Sequence, residues 1–239
     1  MLYTEDSARA NIRNRDGKRV FFLGEKDTLT PGARDFLRRE KIDILPASQA
    51  PISEYRLENG AVLTRKPEHM THLYGDVLVL KTHPRIAFRG AIDTLEAELL
   101  WCQSIIKPPY SERIGEILAF ARNLIRCEVL DEPVRQERLC GLTEAELRDR
   151  SHRPQDFYSQ PHFMPSAADS KAVLALNKCR TAVRAAELTA ARAFIDGQGN
   201  CTRTDILQAL NRMSSMVYIL MIQTKAEGSQ EGVYESHRN

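Results

Sequence analysis

The stretch SAADSKAVLALNKCRTAVRAAELTAARAFI, residues 166–195, contains the pattern that decides the fold. Its apolar residues recur every three or four positions, which is the spacing of one face of an amphipathic α-helix. The positions of this stripe are Val173, Leu176, Arg180, Val183, Glu187, Ala190 and Phe194. Five of these seven residues are apolar, so we expect one long helix whose stripe faces a core.

Two positions of the stripe are charged, and a third charge lies one helical turn from the first. Arg180 and Glu187 occupy the stripe, and Arg184 follows Arg180 by four residues on the same side of the helix. Charged side chains are seldom fully buried unless they are paired or bind a ligand. We therefore predict a polar site where this helix meets another. The alternative is a surface helix whose charges only stabilise one another.

Three further segments show helical spacing, and a capping-box signature at Thr143 and Glu146 indicates a short fifth helix. The first stripe is Phe88, Ile92, Leu95, Leu99 and Cys102, and the second is Ile114, Ile117, Leu118, Ala121, Leu124 and Ile125. The last stripe is Ile206, Leu210, Met213, Val217 and Leu220, beside a polar line of Asn211, Ser214, Ser215 and Tyr218. A polar line on a buried helix needs hydrogen-bond partners. The proline-rich residues 151–165 are not expected to form a regular helix.

The first part of the chain has a different character. Strand signals at 18–23 and 42–45 flank a helix with Thr30 as its cap and Pro31 in its first turn. We predict a mainly α fold in which residues 80–224 form a bundle of about five helices. Residues 1–79 are expected to form a small α/β appendage with its connection, and residues 225–239 a disordered tail.

Composition excludes several classes of protein. The 239 residues include 34 basic and 32 acidic side chains, so the net charge of +2 favours neither nucleic acid nor an anionic membrane as partner. The N-terminus does not resemble a signal peptide, and the most apolar run, residues 216–222, is too short to span a bilayer. The five cysteines are scattered and odd in number, which argues against disulfides and against a zinc site. We expect a cytosolic protein.

The polar residues of the two C-terminal helices suggest a receptor for a polyphosphate. Arg180 and Arg184 offer forked donors that match phosphate oxygens, with Asn211 on the neighbouring helix. Asp93 is a candidate counter-charge for Arg180, within one chain or across a subunit contact. The alternative for Asp93 is a structural pair with Arg89, four residues earlier on the same helix.

Several motifs resemble those of ATP:corrinoid adenosyltransferases. CRTAVRAAE, residues 179–187, is similar to the family's Arg-Thr-x-x-Arg-x-x-Glu signature, and residues 209–222 are similar to its Asn-Arg-Leu-Ser helix. Five co-linear segments, at 3–11, 29–44, 83–93, 141–154 and 205–218, resemble the ethanolamine-utilisation branch. The resemblance covers most of residues 3–222.

The resemblance implies an enzyme that transfers the 5′-deoxyadenosyl group of ATP to the cobalt of reduced cobalamin. Its substrates would be ATP with Mg²⁺ and cobalamin, and its fold a helical bundle with the active site between protomers of a homo-oligomer. By resemblance, Asp93, Arg180 and Arg184 are catalytic, with Asp93 and Arg180 paired across subunits. Arg184, Glu187 and Asn211 are implied to bind ATP. Phosphate-binding arginines would stabilise the charge that develops on the leaving triphosphate.

Enzymes of this family bind cob(II)alamin without its lower axial ligand, which requires an apolar face that excludes water. Phe157, Tyr158 and Phe163 are our candidates for the corrinoid-facing residues. The alternative is that these aromatic side chains only fix an irregular loop to the bundle.

The chain departs from the family pattern in two places. The Gly- and Asp-rich nucleotide loop of the broader family is matched only faintly by residues 14–18. Some members of the ethanolamine branch also carry a His and Cys metal cluster shortly before a Thr-His-Leu motif, matched here by residues 71–73. Because no cysteine precedes Cys102, we expect no dedicated transition-metal site. The alternative is a site built from His69, His72 and His83.

The resemblance also implies a setting in the bacterial cytoplasm, in association with a metabolic microcompartment. The partners would be a B12-dependent lyase such as ethanolamine ammonia-lyase and a flavoprotein reductant, with neither nucleic acid nor membrane. Two rival functions remain open from the sequence. One is a non-catalytic module that binds or delivers cobalamin on the same bundle, and the other is a helical interaction protein whose polar seam only fixes helix register.

Overall fold

The structure, a computed structural model, describes residues 1–15, 17–50 and 54–236, with side chains at 1–13, 17–50 and 54–228. The helices are α1 (Glu5–Ala10), α2 (Pro31–Arg39), α3 (Pro84–Ile105), α4 (Tyr110–Val129), α5 (Glu144–His152), α6 (Pro154–Tyr158), α7 (Lys171–Phe194) and α8 (Thr204–Ser236). The strands are β1 (Leu2–Tyr3), β2 (Arg13–Arg15), β3 (Lys18–Leu23), β4 (Thr28–Leu29), β5 (Asp43–Pro46), β6 (Tyr55–Leu57), β7 (Val62–Leu63), β8 (Met70–Tyr74) and β9 (Val77–Leu80). The chain divides into two compact units: Met1–Tyr55 with Val62–Arg65, and Arg56–Ala61 with the chain from Lys66 onward.

The first unit is a small α/β fold. Its three-stranded sheet has the order β2-β3-β5, in which β3 is antiparallel to β2 and parallel to β5. The parallel pair requires a crossover, and the connection between the two strands includes α2. Thr30 caps α2 by accepting from the amide of Ala33, and Phe36 and Leu37 are buried on its inner face. The predicted strand–helix–strand arrangement is confirmed.

The second unit is built on four long helices. α3 packs against α4 and α7, and α7 packs in turn against α8. Its core contains the predicted apolar stripes, and the five apolar positions of the α7 stripe are all buried. α5 begins at the predicted capping box, in which Thr143 and Glu146 satisfy each other's backbone amides. The mainly α fold with a small N-terminal α/β part is confirmed.

The division between the units differs from the predicted boundary between residues 79 and 80. β8 and β9 form an antiparallel pair that belongs with the helices. The reason is an anchor at the start of α3: Arg89 donates to the carbonyl oxygen of Leu73 at 2.6 Å. Arg89 and Arg85 also bind the fully buried carboxylate of Glu128 on α4, at 2.7 and 2.5 Å.

The C-terminal segment also differs from the prediction. α8 continues to Ser236, although a disordered tail was expected from residue 225. Lys225 binds the buried carboxylate of Asp169, and the hydroxyl of Tyr110 donates to Glu227 at 2.5 Å, which ties the helix to the bundle. Residues 237–239 lie outside the described residues, as do residue 16 and the side chains of 14 and 15 in the segment compared with the nucleotide loop.

Within the proline-rich residues 151–165, the chain forms the short helix α6, which the sequence did not predict. Pro154 occupies its first turn, where the missing amide hydrogen costs nothing, and Ser159 ends it in the left-handed region at φ 50°. Among the described residues, no helix has the length and apolar character needed to cross a membrane.

Candidate active site

Polar side chains of α7 and α8 meet along the contact between these helices. Arg180 and Glu187 are half-buried in the apolar stripe of α7, as predicted. The amide nitrogen of Asn211 on α8 lies 3.5 Å from a carboxylate oxygen of Glu187. The structure therefore brings two of the predicted ATP-binding residues, Glu187 and Asn211, within hydrogen-bonding distance.

Arg180 and Arg184 of α7 are left without acidic partners in the described part of the chain. Arg180 donates to the side-chain oxygen of Asn177, one turn earlier, at 3.2 Å. Arg184 is exposed and forms no ion pair there. Two guanidinium groups one turn apart, both without a carboxylate, favour the binding of an anion.

Asp93 lies on the exposed face of α3 and forms no ion pair with another described residue. The structural alternative, a pair with Arg89, is not formed because Arg89 is held by Glu128 and by the carbonyl oxygen of Leu73. The structure also does not pair Asp93 with Arg180 within one chain. Of the predicted catalytic residues, Asp93 thus remains apart from the two arginines in the single protomer.

The loop before α7 is fixed to α8 by His162, which the sequence did not single out. Its ring stacks on Tyr218 at a centroid distance of 5.8 Å. Nε2 lies 3.1 Å from the carbonyl oxygen of His152, which can only accept, so Nε2 carries the proton and Nδ1 accepts from the Tyr218 hydroxyl at 2.7 Å. Burial raises the pKa of Tyr218, while the nearby charge of Arg180 and a hydrogen bond at Phe163 act in the opposite direction. The polar line on α8 was the signal that Tyr218 needs a partner.

The three candidate corrinoid-facing residues do not share one environment. Phe157 is 42% exposed and lies under the guanidinium groups of Arg150 and Arg153, at 5.4 and 5.9 Å. Tyr158 neighbours Phe157 and packs on the bundle core, with its hydroxyl buried and without a partner among the described residues. Phe163 also packs on the core, and the ammonium group of Lys225 lies 5.5 Å from its ring centroid.

A cavity of about 270 Å³ opens beside Asn211, between α5 and α8. Its lining residues are Glu144, Leu147, Arg148, His152, Asn211, Arg212 and Ser215. We call it the α5–α8 cavity. Sequence reasoning missed Arg148 and Arg212, although Glu144, Arg148 and His152 recur every four residues and so share one face of α5.

The family model of cobalamin adenosyltransferases matches residues 62–224, more than half of the chain and all the predicted site residues. The chain belongs to this family. The corrinoid adenosyltransferase EutT of Salmonella typhimurium is 33% identical over 94% of this chain and 92% of its own length. EutT of Escherichia coli is 36% identical over 67% of this chain and 60% of its own length.

One solved structure supports the fold. It is an arginine-to-lysine variant of a PduO-type ATP:co(I)rrinoid adenosyltransferase from Lactobacillus reuteri, complexed with ATP. It matches with a TM-score of 0.52 and 16% identity, over 66% of this chain and 90% of that one. In the described ranges of the present family member, no three or more His, Cys, Asp or Glu side chains gather as a metal site.

Proposed function

We propose that this protein transfers the 5′-deoxyadenosyl group of ATP to the cobalt of reduced cobalamin, forming adenosylcobalamin. The observation that carries the proposal is the pair Arg180 and Arg184, which have no carboxylate partner among the described residues and lie beside Glu187 and Asn211. Membership of the cobalamin adenosyltransferase family and the similarity to EutT support the same reaction.

In this reaction the cobalt(I) centre of the corrinoid is the nucleophile. Its electron pair forms the cobalt–carbon bond at C5′ of the ribose, the C5′–oxygen bond breaks, and the triphosphate leaves with the bonding electrons. Negative charge therefore grows on the phosphate chain in the transition state. Arg184 would stabilise that charge directly, since arginine stays protonated and forms charge-assisted hydrogen bonds to phosphate, and Arg180 would add positive charge one turn away. Mg²⁺ would accompany the phosphates of ATP without a dedicated protein cage.

We assign Glu187 and Asn211 to contacts with the nucleoside end of ATP. A carboxylate accepts from ribose hydroxyls, and an amide can both donate and accept. Their mutual distance of 3.5 Å leaves the hydrogen bond between them weak and therefore easily exchanged for a ligand.

We further propose that the active site is completed by a second copy of the chain. Asp93 is exposed, and Leu100 lies on the same exposed face of α3, 47% exposed. Trp101 on α3 and Leu174 on α7 are also exposed apolar side chains, at 48% and 38% exposure. A second copy covering this face would bury apolar area and bring the partner subunit's Arg180 to Asp93. The resulting assembly would be a homo-oligomer with active sites between protomers.

Phe157, Tyr158 and Phe163 are proposed to face the corrinoid. The exposure of Phe157 supports this role, since an aromatic side chain at the surface can replace water at the lower face of the ring.

The similarity to EutT supports a role in ethanolamine utilisation. We propose that the product serves a B12-dependent lyase such as ethanolamine ammonia-lyase, that a flavoprotein supplies the electrons, and that the enzyme works in the bacterial cytoplasm beside a metabolic microcompartment. Co-purification with the lyase would test the first of these partners, and the loss of that association in a compartment-free strain would test the setting.

An anaerobic assay tests the proposed reaction. The purified protein is supplied with ATP, Mg²⁺ and chemically reduced cobalamin, and the loss of the cob(I)alamin spectrum is followed. Formation of a light-sensitive alkyl-cobalt product above the rate without protein supports the transferase. Corrinoid binding without product would favour the delivery module, and the absence of binding by both substrates would favour an interaction protein.

A further inference from the structure

We propose that the α5–α8 cavity binds a phosphate group of one of the two substrates, with Arg148 and Arg212 as its principal ligands. The inference rests on the proposed function, because that function defines the substrates. The inference assigns a role to two arginines outside the Arg180–Arg184 pair, Arg148 on α5 and Arg212 on α8.

The chemistry of the cavity wall favours an oxyanion. Arg148, Arg212, Asn211 and Ser215 all present donors to a volume of about 270 Å³. This volume is at the lower end for a whole ligand and suits one group of a larger substrate. Two arginines and a single carboxylate are among the described lining residues, so the charge of the cavity favours an anion such as phosphate.

Among the described residues that line the cavity, Glu144 is the one carboxylate, and it already has partners. It accepts from Gln208 at 2.7 Å, and it forms an ion pair with Arg212. Two guanidinium groups against one carboxylate leave a net positive charge at the cavity. The engaged carboxylate orients Arg212 and does not fill its remaining donor positions.

Arg212 is an incomplete site as it stands. Its side chain is only 22% exposed, and Nε is buried without a hydrogen-bond partner among the described residues. Burial also lowers the pKa of this guanidinium, as expected when a cation is taken from water without full compensation. A phosphate oxygen that reached the guanidinium of Arg212 would accept a charge-assisted hydrogen bond and compensate for part of the hydration that burial removes.

Arg148 supplies the second charge from the opposite wall. It lies on α5 four residues after Glu144 and four before His152, on the face that lines the cavity. The side chain is exposed and forms no ion pair in the ranges that the structure describes. A long arginine that has no ion-pair partner among the described residues can close on a bound phosphate without breaking an existing ion pair.

Two phosphates are present among the substrates: the triphosphate of ATP and the phosphodiester in the nucleotide loop of cobalamin. Asn211 lines the cavity and also contacts Glu187, so the cavity adjoins the proposed ATP site. Either source provides the same chemistry. Cobinamide, which lacks the nucleotide loop, separates them.

The test is Arg148→Ala, compared with Arg122→Ala as a matched control that removes an exposed arginine from a surface pair with Glu96. The KM for ATP, for cobalamin and for cobinamide is measured in each. Loss of one charge-assisted contact predicts an increase of about tenfold in one KM of Arg148→Ala. An increase for ATP with either corrinoid identifies the triphosphate, and an increase for cobalamin but not cobinamide identifies the phosphodiester.

Unchanged KM values for all three ligands in Arg148→Ala would overturn the inference while the proposed function stands. Direct titration of ATP, tripolyphosphate, cobalamin and cobinamide into the same proteins gives a readout that does not require turnover. If the wild type forms no product, the proposed function fails, and the titration still decides the cavity. Arg212→Lys keeps the charge and loses the fork, so it should weaken the same ligand that Arg148→Ala weakens.

Discussion

Arg184 gives the sharpest test at the scale of a single residue, because its exposed guanidinium forms no ion pair in the described structure. Replacing it with alanine should therefore leave the fold intact and remove one phosphate partner. We expect kcat/KM for ATP to fall about 10- to 100-fold in Arg184→Ala, with cobalamin affinity retained. Steady-state kinetics and spectroscopic corrinoid titration measure the two quantities.

The matched control is Arg192→Ala, which removes an exposed arginine eight residues later on the same helix. Its kinetics should equal those of the wild type. An equal loss of activity in both variants would indicate a non-specific effect of positive charge on α7. It would exclude Arg184 as a ligand of ATP.

Single residues also show where sequence reasoning succeeds. The half-buried positions of Arg180 and Glu187 could be predicted, because a helical stripe is set by neighbours three and four residues away. The partner of Arg89 could not be predicted, because Asp93, four residues later on the same helix, is an equally suitable partner by local spacing. The actual partner, Glu128, is 39 residues away and is defined only by the packing of α3 on α4.

At the scale of elements, the Arg85–Glu128–Arg89 cluster joins α3 to α4 and, through Arg89, to the carbonyl oxygen of Leu73 on β8. Glu128 is fully buried, so its loss leaves two arginines without their shared acid. We expect Glu128→Gln to lower the free energy of unfolding by about 3–5 kcal/mol. Urea-induced unfolding measures this change.

Glu96→Gln serves as the control for this cluster, because Glu96 pairs with the 56% exposed Arg122. An exposed pair contributes about 0–1 kcal/mol to stability. Equal destabilisation by the two substitutions would show that the buried cluster has no special part in holding α3.

The pair of Asp169 and Lys225 connects the loop before α7 to the end of α8, and it predicts a pH dependence. The hydrogen bond from Lys225, with those from Ser166, lowers the pKa of Asp169 in the folded protein. A lowered folded pKa means that the stabilisation is present above the unfolded pKa of about 3.9 and is lost as pH falls through the folded value. Asp169→Asn should therefore lower Tm near neutral pH, and the difference from the wild type should shrink in acid.

Calorimetry from about pH 7 to about pH 3 measures this prediction. Asp76→Asn is the control, because it removes an exposed carboxylate that pairs with Arg56. Glu146→Gln would not serve, because Glu146 caps α5. A Tm difference for Asp169→Asn that stays constant through the acid range would contradict the assignment.

Elements also mark the limit of prediction from sequence. The long helices were predictable because their apolar stripes repeat over many turns, whereas α6 has only five residues and no stripe. The α5–α8 cavity depends on how α5 lies across α8, which no local pattern specifies. The helical end of α8 was missed because its stabilising partners, Asp169 and Tyr110, are distant in sequence.

At the scale of the whole molecule, the single protomer holds an incomplete constellation. Among the described residues, Arg180 and Arg184 on α7 have no carboxylate partner, and the exposed Asp93 on α3 has no cationic partner. The exposed apolar side chains of α3 and α7 accompany Asp93. A second copy of the chain accounts for both observations, since one contact would bury the apolar face and pair the charges.

The central claim, a transferase whose site spans two protomers, is tested most directly by complementation. Asp93→Ala and Arg184→Ala are each expected to keep at most about a tenth of the wild-type activity alone, and they are co-expressed so that mixed oligomers form. In a cyclic oligomer with random assembly, about a quarter of the interfaces regain an intact pair of contributing surfaces. The account predicts adenosylcobalamin formation at about that fraction of the wild-type rate. A mixed preparation of confirmed hetero-oligomers that is no more active than the single variants would contradict it.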